Sequence, residues 1–184
     1  MPLLGVDGRM GPAGRAMGAA GDSDLRAGEV RVRRATDEDV VGLTRLINAA
    51  FAVERVAFDG DRLDAAGVRK YMATGVFLLA TDAEGLAGCV YIEARGNRSY
   101  LGLLSVEPAR QGYGLGRRLM AEAEEFARGA GCRAMDLRII SPRAAQLLPF
   151  YLRLGYRETG TRLFPAELTS KVPAHYIVMS KPLT

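Results

Sequence analysis

The chain has 184 residues, of which 48% are hydrophobic, enough for one globular domain with a core and a short tail. The formal net charge is +4, and the basic residues are scattered rather than striped, so nothing points to nucleic acid. No apolar run reaches the roughly 20 residues of a membrane span, and one histidine with two unspaced cysteines argues against a zinc site or a Ser-His-Asp triad.

Residues 1–28 are rich in Gly and Ala and show no periodicity. Glycines 5, 8, 11 and 14 fall every third residue, too few triplets for a collagen helix. There is no apolar signal core, and Asp7, Asp22 and Asp24 argue against a transit peptide. The segment reads as a disordered extension, or as a start placed too far upstream, with Met10 and Met17 as alternatives. The ordered domain is expected over 29–184. Cys89 and Cys132 read as buried free thiols in a cytoplasmic protein.

Val30 and Val32 alternate as a first strand. Thr36 with Asp39 has the spacing of a capping box, followed by Val40, Leu43, Ile47 and Ala50 at helical intervals. A polar bend at Asp59-Gly60-Asp61 leads to a second helix bearing Val68, Tyr71 and Met72, stopped by Gly75. Val76 to Thr81, Leu86 to Arg95 and Leu101 to Val106 form an antiparallel meander. A long helix from Leu115 buries Leu119, Ala123, Phe126 and Ala127 and leaves Glu122, Glu125 and Arg128 in solvent. Met135 to Ile139 is a fifth strand, parallel to the fourth because a helix carries the crossover. Ser141-Pro142 caps the next helix, which runs to Leu154 with a kink or restart expected at Pro149. Tyr156 to Leu163 and Tyr176 to Lys181 are the last strands, joined by a loop with two prolines.

The informative stretch is Leu101 to Met120, a strand, a break at Glu107-Pro108, a glycine loop and a helix. A glycine loop that opens a helix suits an anion, because the first helical N–H groups point outwards without partners in the helix. A P-loop would need Lys and then Ser/Thr after its last glycine, but Arg117 and Arg118 follow Gly116. A dinucleotide fingerprint would need a third glycine where Arg117 or Leu119 stands. Gln-x-x-Gly-x-Gly, as Gln111, Gly114 and Gly116, does fit.

This loop resembles the coenzyme A pyrophosphate loop of the GNAT superfamily of acetyl-CoA-dependent N-acetyltransferases. The element order β-α-α-β-β-β-α-β-α-β-β over about 30 to 183 is similar to the GNAT fold. Phe150-Tyr151 followed by Leu154-Gly155-Tyr156 resembles a second landmark of the family. Many members carry an Asn seven residues before that Tyr; here Ala144 stands there, with Arg143 and Ser141 as substitutes. The resemblance implies an α/β (α+β) fold, a mixed sheet of about six to seven strands flanked by about four helices and splayed between the fourth and fifth strands.

The same resemblance implies roles. Leu104, Ser105 and Val106 would pair with pantetheine through their backbones. Gln111, Gly112, Gly114, Leu115, Gly116 and Arg117 would hold the pyrophosphate, with Arg110 and Arg118 near it. Tyr151 is the candidate general acid, since a phenol is protonated at neutral pH. Glu93, a lone carboxylate in the apolar strand CVYIEAR, is the candidate base. Glu107 reads as a turn residue and His175 as structural. The implied activity moves an acetyl group from acetyl-CoA to a primary amine of a small molecule, with no metal. The alternatives are a protein or peptide N-acetyltransferase, which would leave an open groove between the first helices and the last hairpin, or a non-catalytic acyl-CoA-binding module. A homodimer is left open. The loops that choose the acceptor would be Phe51 to Asp64 and Phe164 to His175.

Residues 1–28 lack the apolar content to offset the entropy of ordering them. A chain starting at Gly28 is expected to keep its melting temperature and activity in parallel assays; a large loss of either would show that the tail docks.

Overall fold

The computed structural model describes residues 30–165 and 170–184; the disordered extension expected over 1–28 lies outside them. The first half runs β1 (Arg31–Arg34), α1 (Val40–Phe51), α2 (Ala65–Met72), β2 (Val76–Asp82), β3 (Gly85–Arg95) and β4 (Arg98–Val106). The second half runs α3 (Leu115–Gly129), β5 (Ala134–Ile140), α4 (Ala144–Arg153), β6 (Arg157–Arg162) and β7 (Tyr176–Pro182). This is the element order expected from the sequence.

Local chemistry fixes the helix starts. Ahead of α1, the Asp39 carboxylate accepts the Thr36 N–H at 2.8 Å. Arg33 donates to both of its oxygens at 2.7 Å. The Arg33 guanidinium holds the Asp39 carboxyl down at about 2. At α2, Asp64 is the N-cap and accepts the Gly67 N–H at 2.7 Å.

The strands form one sheet in the order β1-β2-β3-β4-β5-β7-β6. All pairs are antiparallel except β4 and β5, which α3 connects. Alternate residues of each strand feed two cores. Leu78 and Ala80 pack with Leu119, Ala123 and Leu147 on the α3/α4 face. Phe77 and Leu79 pack with Val40, Leu43, Ile47 and Val68 on the α1/α2 face.

The two halves of the sheet part company early. β4 pairs with β5 only over Arg98–Tyr100 and Ala134–Asp136, although both strands continue. The cause is visible in β4. Cys89 pairs with Ser105 but Tyr91 pairs with Gly102, so β4 carries one extra residue. Leu103 sits there with φ of 51°, the one non-glycine in the left-handed region among the described residues. A bulge of this kind bends its strand and raises the local twist, and it turns β4 away from β5.

Two local expectations are corrected. Ser141 does not cap α4: its hydroxyl accepts the His175 N–H at 3.1 Å, and a 3-10 turn (Ser141–Arg143) leads into the helix. Pro149 causes no restart; one helix runs from Ala144 to Arg153 through it.

The α3 surface holds one carboxylate that periodicity did not single out. Glu124 is 6% exposed. It accepts from Lys181 Nζ at 2.8 and 2.7 Å and from the Tyr156 hydroxyl at 3.1 Å. This ties the crossover helix to β7 and to the end of α4. Removing one partner of a buried pair leaves the other uncompensated, at a cost of about 3–5 kcal/mol. Glu124→Ala should show a loss of that order in urea unfolding, and a change below about 1 kcal/mol would mean the network is solvated.

Candidate active site

The glycine loop lies where β4 ends. A 3-10 turn (Pro108–Arg110) follows the strand, and the Gln111 side chain donates back to the Val106 carbonyl at 3.1 Å, pinning the loop to the strand end. Gly112 and Gly114 have φ of 90° and 83°, values other residues rarely adopt. A Cβ at either would meet nothing within 4 Å, so the loop leaves an open cradle in front of α3. Gly114 is the N-cap of α3 and brings no side chain to the helical N–H groups.

The first turn of α3 contains no acidic residue, and Arg117 and Arg118 stand there exposed. Cations at a helix N-terminus oppose the macrodipole, so this arrangement favours a bound anion. A pyrophosphate therefore fits the residues present. Arg110 is engaged elsewhere: it pairs with Asp82 and Glu84 at the β2–β3 turn, which places it outside the expected phosphate set.

Leu104, Ser105 and Val106 are fully buried and follow the bulge, on the stretch of β4 that β5 no longer pairs. The Ser105 hydroxyl donates to the Leu103 carbonyl at 3.1 Å, across the bulge.

Tyr151 is fully buried on α4, edge-on to Phe150 and Tyr156 at 5.1 and 5.9 Å between ring centroids. Its hydroxyl has no hydrogen-bond partner among the described residues. Burial pushes its pKa up, reinforced by Tyr100 and opposed by Arg143. The phenol therefore keeps its proton at any working pH.

Glu93 lines a cleft of about 330 Å³ whose walls include Lys70, Tyr71, Tyr100 and Arg138. Arg95 clamps its carboxylate with two bonds of 2.7 Å, and the Tyr91 hydroxyl donates to it at 3.2 Å. The hydrogen bonds from Arg95 lower its pKa.

The sequence reading missed Glu54. It lies in a 3-10 segment (Ala52–Val56) after α1, 3% exposed, and neither carboxylate oxygen has a partner among the described residues. Burial raises its pKa to about 7, against the pull of Arg62 and Arg143. The signal was present in FAVERVAF, a lone acid in an apolar run, the pattern that marked Glu93. Cys89 and Cys132 are buried free thiols. Among the described residues no cluster of His, Cys, Asp and Glu could hold a metal, and no helix is long and apolar enough to cross a membrane.

This parted sheet, with a glycine loop at the end of its fourth strand, is the GNAT fold. Residues 73–158 match the family described as acetyltransferase (GNAT) domain. The chain is a GNAT-superfamily acyltransferase in fold and domain, with acetyl-CoA as cosubstrate. Among solved structures it resembles yncA from Salmonella typhimurium, whose structure holds acetyl-CoA, at 22% identity and TM-score 0.67, covering 84% of this chain and 94% of that one. It also resembles the ribosomal-protein-S18-alanine N-acetyltransferase of Escherichia coli, at 18% identity and TM-score 0.64, covering 85% and 95%. A nourseothricin acetyltransferase matches at 21% identity and TM-score 0.67, covering 84% and 99%. At these identities the likeness is one of fold.

Gly114→Asp would put a negative charge into the cradle at a position whose φ Asp tolerates better than most residues. Calorimetry should find acetyl-CoA binding abolished in a folded variant; unchanged affinity would remove the loop from the donor site.

Proposed function

We propose that the protein transfers an acetyl group from acetyl-CoA to a primary amine of a small molecule by direct attack. The observation that carries the choice of acceptor is the clasp between the two acceptor-side loops. Lys171 Nζ meets Asp59 at 2.7 Å and the Arg55 carbonyl at 2.9 Å. The Lys171 N–H reaches the Ala57 carbonyl at 2.9 Å, and the Ser170 hydroxyl reaches it at 3.2 Å. Phe58 and Phe164 meet edge-on at 5.4 Å, and Phe164 meets Tyr176 at 4.5 Å. An extended peptide would need an open groove at this place. The clasp supports a small acceptor over a protein or peptide.

The donor supplies a thioester whose carbonyl carbon the amine nitrogen can attack. A carbon–nitrogen bond forms, the carbon–sulfur bond breaks, and its electron pair leaves on sulfur. Tyr151 gives its hydroxyl proton to that sulfur, and the proton that nitrogen sheds as the amide forms restores the phenol. The backbone of Leu104 to Val106, bent out of the sheet by the bulge, is suited to hold the pantetheine arm. The glycine loop, from Gln111 to Arg117, holds the diphosphate.

Glu93 was expected as the base. Its clamp by Arg95 keeps it ionised to lower pH than an ordinary carboxylate, and such a group is a weak proton acceptor. The proposal gives it the task of holding Arg95 and Tyr91 in the cleft wall. Glu93→Gln should then raise KM more than it lowers kcat and leave the acidic limb of kcat/KM in place. Loss of that limb would make Glu93 the base.

Tyr151→Phe keeps the ring and removes a hydroxyl that has no protein partner. Turnover should fall roughly 10²–10⁴-fold, the usual size of a general-acid contribution. The acetyl-CoA Kd should hardly change, and the melting temperature should stay or rise, because an unpaired buried hydroxyl costs about 1–3 kcal/mol. A lower melting temperature with normal turnover would reduce Tyr151 to a packing residue.

A further inference from the structure

Most buried polar side-chain atoms in a folded protein have a hydrogen-bond partner. Here the exceptions gather in one place. Both oxygens of Glu54, Nη1 of Arg143, and the hydroxyls of Tyr151 and Tyr176 are buried without a partner among the described residues. The four side chains are 3%, 7%, 0% and 2% exposed. They come from distant points of the chain: the segment after α1, the turn before α4, α4 itself and β7.

They are also neighbours. Arg62 and Arg143 act on the Glu54 carboxylate, Arg143 and Glu54 act on Tyr151, and Glu54 and Arg62 act on Tyr176. Tyr151 belongs to the α3/α4 core and Tyr176 to the α1/α2 core. The cluster therefore bridges the two faces of the sheet, which only the parting of β4 and β5 permits.

The composition of the cluster specifies a guest. Carboxylate oxygens without donors fit an ammonium group. A guanidinium with an unused N–H fits a carboxylate. Two arginines face one glutamate, so the cluster carries surplus positive charge. The adjoining cleft repeats this, with Lys70, Arg95 and Arg138 against Glu93. A plain amine would add a further positive charge to both.

We propose that this buried cluster is the acceptor site and that the acceptor is a small amino acid, its ammonium held and deprotonated by Glu54 and its carboxylate held by Arg143. The proposal rests on the acetyl-transfer reading above and narrows its substrate. The acceptor's ammonium passes one proton to a Glu54 oxygen and becomes the neutral amine that attacks. The clasped loops cover the site and part to admit the acceptor. A Glu54 carboxyl that titrates near 7 is matched to this work at neutral pH. The groups that set its titration are Arg62 and Arg143, with the phenols of Tyr151 and Tyr176 beside it.

The test compares amino acids with the matching amines that lack the carboxylate, using the full chain, acetyl-CoA and thiol release. The amino acids should be preferred by about 10–100-fold in kcat/KM, the worth of a hydrogen bond to a charged group. Arg143→Met should erase the preference and Arg143→Lys restore part of it, with the acetyl-CoA Kd unchanged. Glu54→Gln should lower turnover and remove the acidic limb near pH 7.

Glu54→Gln has a second readout that needs no substrate. A carboxyl raised to about 7 from about 4.5 keeps its proton in the folded chain after the unfolded chain has lost it. Stability then falls as pH rises across that interval. The variant should lack this fall and melt higher than the parent at pH 8. Equal turnover of amines and amino acids by the parent, with acetyl-CoA bound, would overturn the amino-acid site and leave the acetyl-transfer reading standing. A weakened acetyl-CoA Kd in Arg143→Met with the preference intact would assign Arg143 to the donor and also overturn it. Turnover of peptides alone would overturn both.

Discussion

Everything in this molecule that bears on chemistry depends on the place where β4 leaves β5. A sheet interior normally pairs every backbone group, because an unpaired buried N–H or C=O is costly. Here pairing stops at Tyr100 and Asp136. The extra residue in β4 and the left-handed Leu103 are the local devices that stop it. Strain of this kind costs on the order of 1–3 kcal/mol and persists only where the surroundings enforce it. Leu103 is fully buried, so packing against the α1/α2 core holds the bulge closed on one side while the sheet opens on the other.

The opening has two consequences that belong together. It frees a length of β4 backbone beside the glycine loop, so a long ligand can run from the α3 N-terminus into the sheet. It also lets side chains from the two cores meet in the middle of the protein. Tyr151 and Tyr100 come from opposite faces of the sheet, yet they are close enough to influence each other's titration. An unbroken strand pair would have separated them.

The sequence made the parts that rest on local rules legible. Hydrophobic alternation located the strands, and the glycine spacing with two following arginines located the anion loop. Capping chemistry located the start of α1. The readings failed where a partner lies far away in the chain. Arg110 looked free for phosphate, but the β2–β3 turn brings Asp82 and Glu84 to it. Ser141 looked like a helix cap, but β7 claims its hydroxyl through His175. Glu124 fell between Glu122 and Glu125 on a helix read as solvated there, and only the return of β7 supplies Lys181. The lone acid in an apolar run was a sound signal, applied to one strand and not to the segment that holds Glu54.

Glu93 and Glu54 show why that signal needs a structure to interpret it. Each is a carboxylate set among apolar residues. Arg95, two positions along the same strand, meets Glu93 and holds it ionised. Glu54 has two cations near it and no hydrogen bond from either, so burial wins and its affinity for a proton rises. The difference is one of geometry: a bonded pair lowers a carboxyl's pKa, whereas charge at a distance only moderates the cost of desolvation. A site that must take a proton from an amine near neutral pH needs the second arrangement. It can be kept only where the cost of an unbonded buried carboxylate is offset by the packing around it, here the clasp of Phe58, Phe164 and Tyr176 over the parted strands.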